Sequence, residues 1–167
     1  MHVSSSLLII DDHPIIRAAL ADALRKRFPR VRLEAVGDAE SGIALLKQEL
    51  KKRKSAPWWV LIDLGLPGMG GLAGITHLLA LGESVQVIAV SGNDDALQVG
   101  ACFGAGAAAF ISKAAPTDDA IRIVAQAMEG ALIKGTWLSA RGLADSSVLN
   151  RIALTERQLQ VLSMICQ

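Results

Sequence analysis

From about residue 6 to residue 129, short unbroken apolar runs alternate with stretches whose apolar positions recur at helical spacing. The runs at 7–10, 31–36, 58–62, 85–90 and 108–111 have the length and continuity of strands buried on both faces. Helices are expected between them. The stretch Pro14–Arg27 starts on a proline, whose missing N–H costs nothing in a first turn, and places Ile16, Ala19, Leu20, Ala23 and Leu24 at helical spacing. Residues 38–52 offer Asp38 as a cap and Ile43, Leu45 and Leu46 for burial. The basic run Lys51-Lys52-Arg53-Lys54 that follows suits the negative end of a helix better than a nucleic-acid patch. Residues 72–81 and 96–103 are weaker helices rich in Gly and Ala, whereas Thr117–Met128 opens with Pro116 and carries Asp118 and Asp119 in its first turn. Five such alternations with short joints imply a parallel sheet covered on both faces. The chain is too short for an eight-fold barrel, so the expected architecture is α/β, a five-stranded doubly wound sheet.

The texture changes after Glu129. Residues 130–153 mix glycine and serine with scattered apolar positions and read as a linker, although Trp137, Leu138 and Leu143 are apolar enough to dock. In 154–167, Thr155 and Gln158 form a capping-box pattern, and Leu159, Leu162 and Ile165 make a helical stripe. A helix this short is marginal alone in water, so the segment reads as the start of a second domain cut short. The expected organisation is a first domain over 4–129, a linker over 130–153 and an initial helix over 154–167.

Composition narrows the partners. With 167 residues, 51% of them apolar, the chain can bury a sizeable core, and a net charge of +1 gives no general attraction to nucleic acid or membrane. Cys102 and Cys166 stand apart with no motif around them, which reads as two reduced thiols. There is no secretory signal pattern and no run of roughly 18 apolar residues that would span a membrane, so a cytoplasmic location is expected.

The candidate chemistry lies where strands end. Residues 58–62 lead into Asp63 and then break into Gly65, Pro67 and Gly68; residues 7–10 lead into Asp11 and Asp12. Ligands of open α/β sheets collect at the carboxyl ends of the strands. Three carboxylates delivered to one edge repel, and a bound divalent cation relieves that repulsion. Two further strands end on Ser91 and on Ser112-Lys113, adding a hydroxyl and an ammonium at the same edge. Taken singly, each has an ordinary explanation: Lys113 a solvated cation, Ser91 a helix cap, Phe110 plain core. Their order and placement together point to an acidic, metal-dependent site.

Asp11-Asp12, Asp63 with Leu66-Pro67 and Gly71, Ser91-Gly92, and Phe110 with Lys113 resemble the motifs of the receiver domain of bacterial response regulators, over roughly residues 6–129. The resemblance implies a CheY-like fold. It also implies that Asp63 is the phosphoacceptor, forming an aspartyl-phosphate, and that Mg²⁺ is held by Asp11, Asp12, Asp63 and the Gly65 backbone carbonyl. Lys113 would neutralise phosphoryl oxygens, and Ser91 would move to the new phosphoryl group and let Phe110 turn inward. Gly70 stands where Asp or Asn is frequent, Gly92 where Ala is usual and Phe110 where Tyr is frequent; none removes a group needed for phosphorylation. The run Leu154-Thr155-Glu156-Arg157-Gln158-Leu159 is similar to the opening helix of the LuxR-type (NarL/FixJ) helix-turn-helix domain, and Trp137-Leu138-Ser139 resembles the linker of that class. The implied partners are a sensor histidine kinase, a second copy of the chain, and promoter DNA for a longer parent. This chain holds no recognition helix, so it is not itself expected to bind DNA, nor to contact a membrane. No enzymatic turnover beyond self-phosphorylation and dephosphorylation is expected. Two alternatives compete: a stand-alone receiver acting by protein contact, and a Mg²⁺-dependent phosphohydrolase, which would need a second acid that Asp63-Leu64-Gly65 lacks.

Overall fold

The computed structural model describes residues 5–52 and 56–144. The elements alternate in the order β1 (Ser6–Ile10), α1 (Pro14–Arg27), β2 (Leu33–Val36), α2 (Ala39–Leu50), β3 (Trp58–Asp63), α3 (Gly71–Leu79), β4 (Val85–Ser91), α4 (Ala96–Gly104), β5 (Ala109–Ser112) and α5 (Thr117–Met128). Two further strands follow, β6 (Thr136–Ser139) and β7 (Gly142–Leu143). The sheet order is β2-β1-β3-β4-β5-β6-β7. Every pairing is parallel except the last, where β7 folds back on β6.

The expected doubly wound parallel sheet is therefore present, and it continues further than expected. Residues read as linker supply β6, whose Trp137 pairs with Phe110 and whose Leu138 pairs with Ile111. Trp137 and Leu138 are buried. The expected helix at 154–167 and Cys166 lie outside the described residues.

Two apolar layers flank the sheet because successive strand residues face opposite ways. On one side Leu8, Ile10, Val60, Ile62, Val87 and Phe110 meet α2, α3 and α4 through Ile43, Leu46, Ile75, Leu78, Val99 and Cys102. On the other, Leu7, Ile9, Leu61, Ile88 and Ile111 meet α1 and α5 through Leu24, Ile123 and Val124. Burial of the Cys102 thiol pushes its pKa up to about 11, as fits an inert core thiol.

Local differences from the sequence pattern have physical causes. Strand β2 starts at Leu33 because the Val31 N–H is used at 3.1 Å to close a turn onto the Phe28 carbonyl. Asp38 does cap α2, accepting from the Ser41 N–H at 2.7 Å. In α1 only Ala21 and Leu24 are buried, and Ile15 is 85% exposed. Ile15 and Ile16, in the first turn of this helix, line an open cleft with Leu61, Val90 and Ile111 instead of closing onto the core. Among the described residues no helix is long and apolar enough to cross a membrane.

Glycines hold the layers close. A Cβ on Gly71, the first residue of α3, would lie 2.4 Å from the Leu64 Cα, a backbone atom with no room to retreat. A Cβ on Gly104, at the end of α4, would meet nothing within 4 Å. Gly71→Ala is therefore expected to destabilise by about 1–3 kcal/mol through overpacking, while Gly104→Ala stabilises by about 0.4–1 kcal/mol through the unfolded chain. Urea denaturation of both variants checks the opposite signs.

Away from the carboxyl edge, Arg32 grips Glu49 at 2.6 Å, with Lys52 on the same carboxylate at 2.7 Å. Arg32, then Lys52, draws the Glu49 pKa from 4.5 down to about 2. The folded pKa lies below the unfolded one, so this contribution is present above 4.5 and is lost as pH falls through about 2. Glu49→Gln resembles the protonated state. Its stability deficit against the parent should be constant near neutrality and close progressively in acid; an acid-independent deficit would contradict the pairing.

Candidate active site at the carboxyl edge

The sheet order reverses around β1, with β2 on one side and β3 on the other. Such a switch point opens a crevice at the strand ends. The end of β1 delivers Asp11, whose N–H is held by the Val36 carbonyl at 3.1 Å, and the end of β3 delivers Asp63. Both are buried, at 4% and 3% exposure, while Asp12 on the rim is partly exposed. Buried carboxylates persist only with partners, and the partners here are specific.

Lys113, just past β5, reaches back with its Nζ 2.9 Å from Asp63 Oδ2 and 3.1 Å from Asp11 Oδ2. Its own N–H donates to the Ser91 carbonyl at 2.8 Å, which ties the end of β5 to the end of β4. The Gly65 N–H donates to Asp63 Oδ1 at 2.9 Å. Burial opposes the charge on Lys113, but its bonds to Asp63 and Asp11 outweigh that and raise its pKa. Burial likewise opposes ionisation of Asp11, and the His13 N–H and Lys113 outweigh it, holding this carboxyl below the usual range.

Ser91 ends β4 and is buried. Its Oγ accepts from the Asn93 N–H at 3.1 Å and lies 3.4 Å from Gln98 Oε1. It does not cap α4; Asp95 does, accepting from the Gln98 N–H at 2.9 Å. Phe110 is wholly buried, its side chain already in the core beside Trp137, whose Nε1 is buried without a hydrogen-bond partner. Gly70 and Gly92 border open space, since a Cβ on either would meet nothing within 4 Å.

One residue of the cluster escaped the sequence reading. His13 occupies the N-cap of α1 yet makes no side-chain cap bond. Its ring turns to the acids instead, with Nδ1 3.0 Å from Asp11 Oδ1, 3.2 Å from Asp12 Oδ1 and 3.6 Å from Asp63 Oδ2. The signal was its position between an acidic pair and Pro14, where a Ser, Thr, Asp or Asn cap would be ordinary. Arg17 adds a fixed cation nearby, donating to the Asp11 carbonyl at 2.6 Å.

The donor set fits a hard divalent cation. Asp11, Asp12, His13 and Asp63 each offer an atom within 4.8 Å of the others. Among the described residues Asp12 Oδ1 is buried and has no hydrogen-bond partner, with His13 Nδ1 lying 3.2 Å away. Three carboxylates against the one ammonium of Lys113 leave two negative charges, the complement of a divalent ion.

The whole chain is also similar to proteins of known kind. The profile of the response regulator receiver domain matches residues 7–125. The virulence-factor transcription regulator BvgA of Bordetella pertussis is 30% identical over 167 residues, covering 98% of this chain and 77% of BvgA. Response regulator GacA of Pseudomonas protegens is 29% identical, covering 96% of this chain and 76% of GacA. Among solved structures, a LuxR family DNA-binding response regulator from Silicibacter pomeroyi superposes with a TM-score of 0.62 at 27% identity, over 75% of this chain and 93% of that one. The receiver domain of a NarL regulator from Mycobacterium tuberculosis has the same fold, with a TM-score of 0.62 at 24% identity, over 75% of this chain and 96% of that one. Strand order, edge chemistry and relatives agree, and the chain belongs to the response regulator receiver family of two-component systems.

Proposed function

We propose that this receiver accepts a phosphoryl group on Asp63 from a sensor histidine kinase and passes the change to a DNA-binding output. The observation that carries the reading is the convergence of Asp11, Asp12 and Lys113 on the buried Asp63 carboxylate. In the transfer, a carboxylate oxygen of Asp63 forms the bond to phosphorus while the bond to the donor's leaving group breaks, its electron pair departing with the donor. Lys113 leaves its salt bridge to balance charge on the phosphoryl oxygens. The Gly65 N–H holds Asp63 Oδ1 and so fixes which way the carboxylate faces. Mg²⁺, held by Asp11, Asp12, Asp63 and the Gly65 carbonyl, would screen the phosphoryl charge when bound.

The exposed apolar first turn of α1 suits a protein donor. Ile15 and Ile16 are exposed beside an open apolar cleft of about 310 Å³ that also touches Lys113 and Ala115. A helical kinase surface seated there would bring its phosphohistidine over the edge of the sheet.

Ser91 and Phe110 would carry the signal. Ser91 has no strong competing bond, with Gln98 at 3.4 Å, and is free to donate to a phosphoryl oxygen. Because Phe110 is already inward, the change on phosphorylation would be a shift in how β4, β5 and β6 bear on one another rather than a large ring rotation. The names of BvgA and of the LuxR-family neighbour support transcription as the output. A stand-alone receiver is the second reading, and no observation favours it.

Intact-mass measurement with acetyl phosphate and Mg²⁺ should show one added phosphoryl group, absent in Asp63→Asn. Lys113→Ala should label at least about a hundred-fold more slowly, as for loss of one preorganised donor to developing charge. Labelling of Asp63→Asn at the parental rate would sink the assignment. Asp12, with its unpartnered oxygen, should matter for cation binding: Asp12→Ala is expected to weaken Mg²⁺ several-fold, read by isothermal titration calorimetry.

A further inference from the structure

A net charge of +1 conceals a separation of charge between the two ends of the sheet. The carboxyl edge holds Asp11, Asp12 and Asp63. The amino edge is basic where β2, β1 and β3 begin. Arg25, Lys26 and Arg27 close α1, and Arg30 follows in the loop to β2. Arg32 stands just before β2, its backbone carbonyl accepting from the Leu7 N–H of β1 at 2.8 Å. Its guanidinium crosses to the end of α2, bonding Glu49 at 2.6 Å and lying 5.3 Å from the Trp58 ring at the start of β3. Lys51 and Lys52 follow α2 at the same place. Helices on opposite faces of the sheet therefore end in one basic band. Its acids are few: Asp22 pairs with Lys26, Glu34 with Arg32, and Glu49 with Arg32 and Lys52. Among the described residues Arg25, Arg27, Arg30 and Lys51 are exposed and have no carboxylate partner. The two helix C-termini offset about one unit of that charge. The loops before β4 and β6 carry Glu83, Glu129 and Lys134, so the excess is confined to the β2-β1-β3 half of the edge.

We propose that this band binds the phosphate backbone of duplex DNA without reading its sequence. Such contacts position a duplex and need no recognition helix. Three of the four unpaired cations are arginines, whose planar fork matches a phosphate with two parallel bonds. A protein partner would call for an apolar centre, and none of the large exposed apolar side chains among the described residues stands in the band. A strip that crosses from one helical layer to the other suits a linear polyanion better than a compact one. Strand β7 runs antiparallel to β6, and the Ala144 N–H bonds back to the Trp137 carbonyl at 2.8 Å, so the chain leaves β7 toward this same edge. An output domain continued from there would present its duplex on the basic side. The choice of DNA rests on the DNA-binding output proposed above.

The experiment titrates the full 167-residue chain into a fluorescently labelled duplex of arbitrary sequence and follows anisotropy between about 50 and 200 mM salt. The logarithm of affinity should fall against the logarithm of salt with a slope of about −3 to −4, as for four phosphate contacts. Arg25→Gln combined with Arg30→Gln should weaken binding several-fold at the lower salt and reduce the slope by about two. Lys134→Gln combined with Arg141→Gln changes the net charge equally but lies outside the band, and should leave the slope as in the parent. Both pairs are exposed, so neither exchange disturbs the core. Equal losses in the two double variants overturn the inference, because overall charge would then account for binding. Poly-glutamate that displaces the duplex at equal charge also overturns it and assigns the band to an acidic protein surface. Absence of any association at the lower salt overturns it outright. The inference falls alone in each case, since labelling of Asp63 and DNA binding by a continued output are measured separately.

Discussion

Three acids share one corner of this molecule, and among the described residues only Lys113 touches Asp63 with a permanent positive charge. Its ammonium stands 2.9 Å from Asp63 and 3.1 Å from Asp11, and its amide is bonded to the end of β4. That bridge fixes the relative height of β1, β3, β4 and β5, because the ends of β1 and β3 meet at the Nζ of Lys113 and the end of β4 at its backbone N–H. The rest of the fold supplies the rigidity that makes this convergence affordable. Two apolar layers, each packed with branched side chains, hold the strands in register, and fixed donors stabilise the buried acids.

The residual charge of the corner explains why it is poised for change. After Lys113 is counted, two negative charges remain, and Asp12 keeps a buried oxygen without a donor. A fully neutralised cluster would be a structural staple. An incompletely neutralised one has an appetite for cations and for the anionic groups that cations bring with them.

Much of this was legible in the chain. Each sheet strand expected between β1 and β5 is present within a residue or two at its ends, because continuous apolar runs are a strong signal for buried parallel strands. Asp63, Asp11 and Lys113 came into view because a charge closing an apolar run marks a strand's exposed end. Other features were hidden for physical reasons. Strand β6 is only four residues long and lies between Gly135 and Gly142, so locally it looks like a turn; its stability comes from Phe110 and Ile111 on β5, far away in sequence. The stripe on α1 suggested core at Ile16, yet periodicity reports a face and not where the sheet beneath it stops. His13 drew no notice in the sequence, because the direction of its ring toward Asp63 depends on a neighbour brought in by β3.

Strand β6 also changes what counts as a transferable unit. The Ala140 N–H donates to Asp94 Oδ2 at 3.1 Å, joining the turn between β6 and β7 to the loop that follows Ser91, and Trp137 and Leu138 complete the two apolar layers. A recombination point placed directly after α5 would strip the edge of β5 and expose a tryptophan-sized hollow. Chimeras that fuse another domain to this receiver should keep the chain at least through Ala144, whose N–H donates to the Trp137 carbonyl at 2.8 Å, so that the receiver's own edge goes with it. The seam between modules is then defined by hydrogen bonds and not by the last helix.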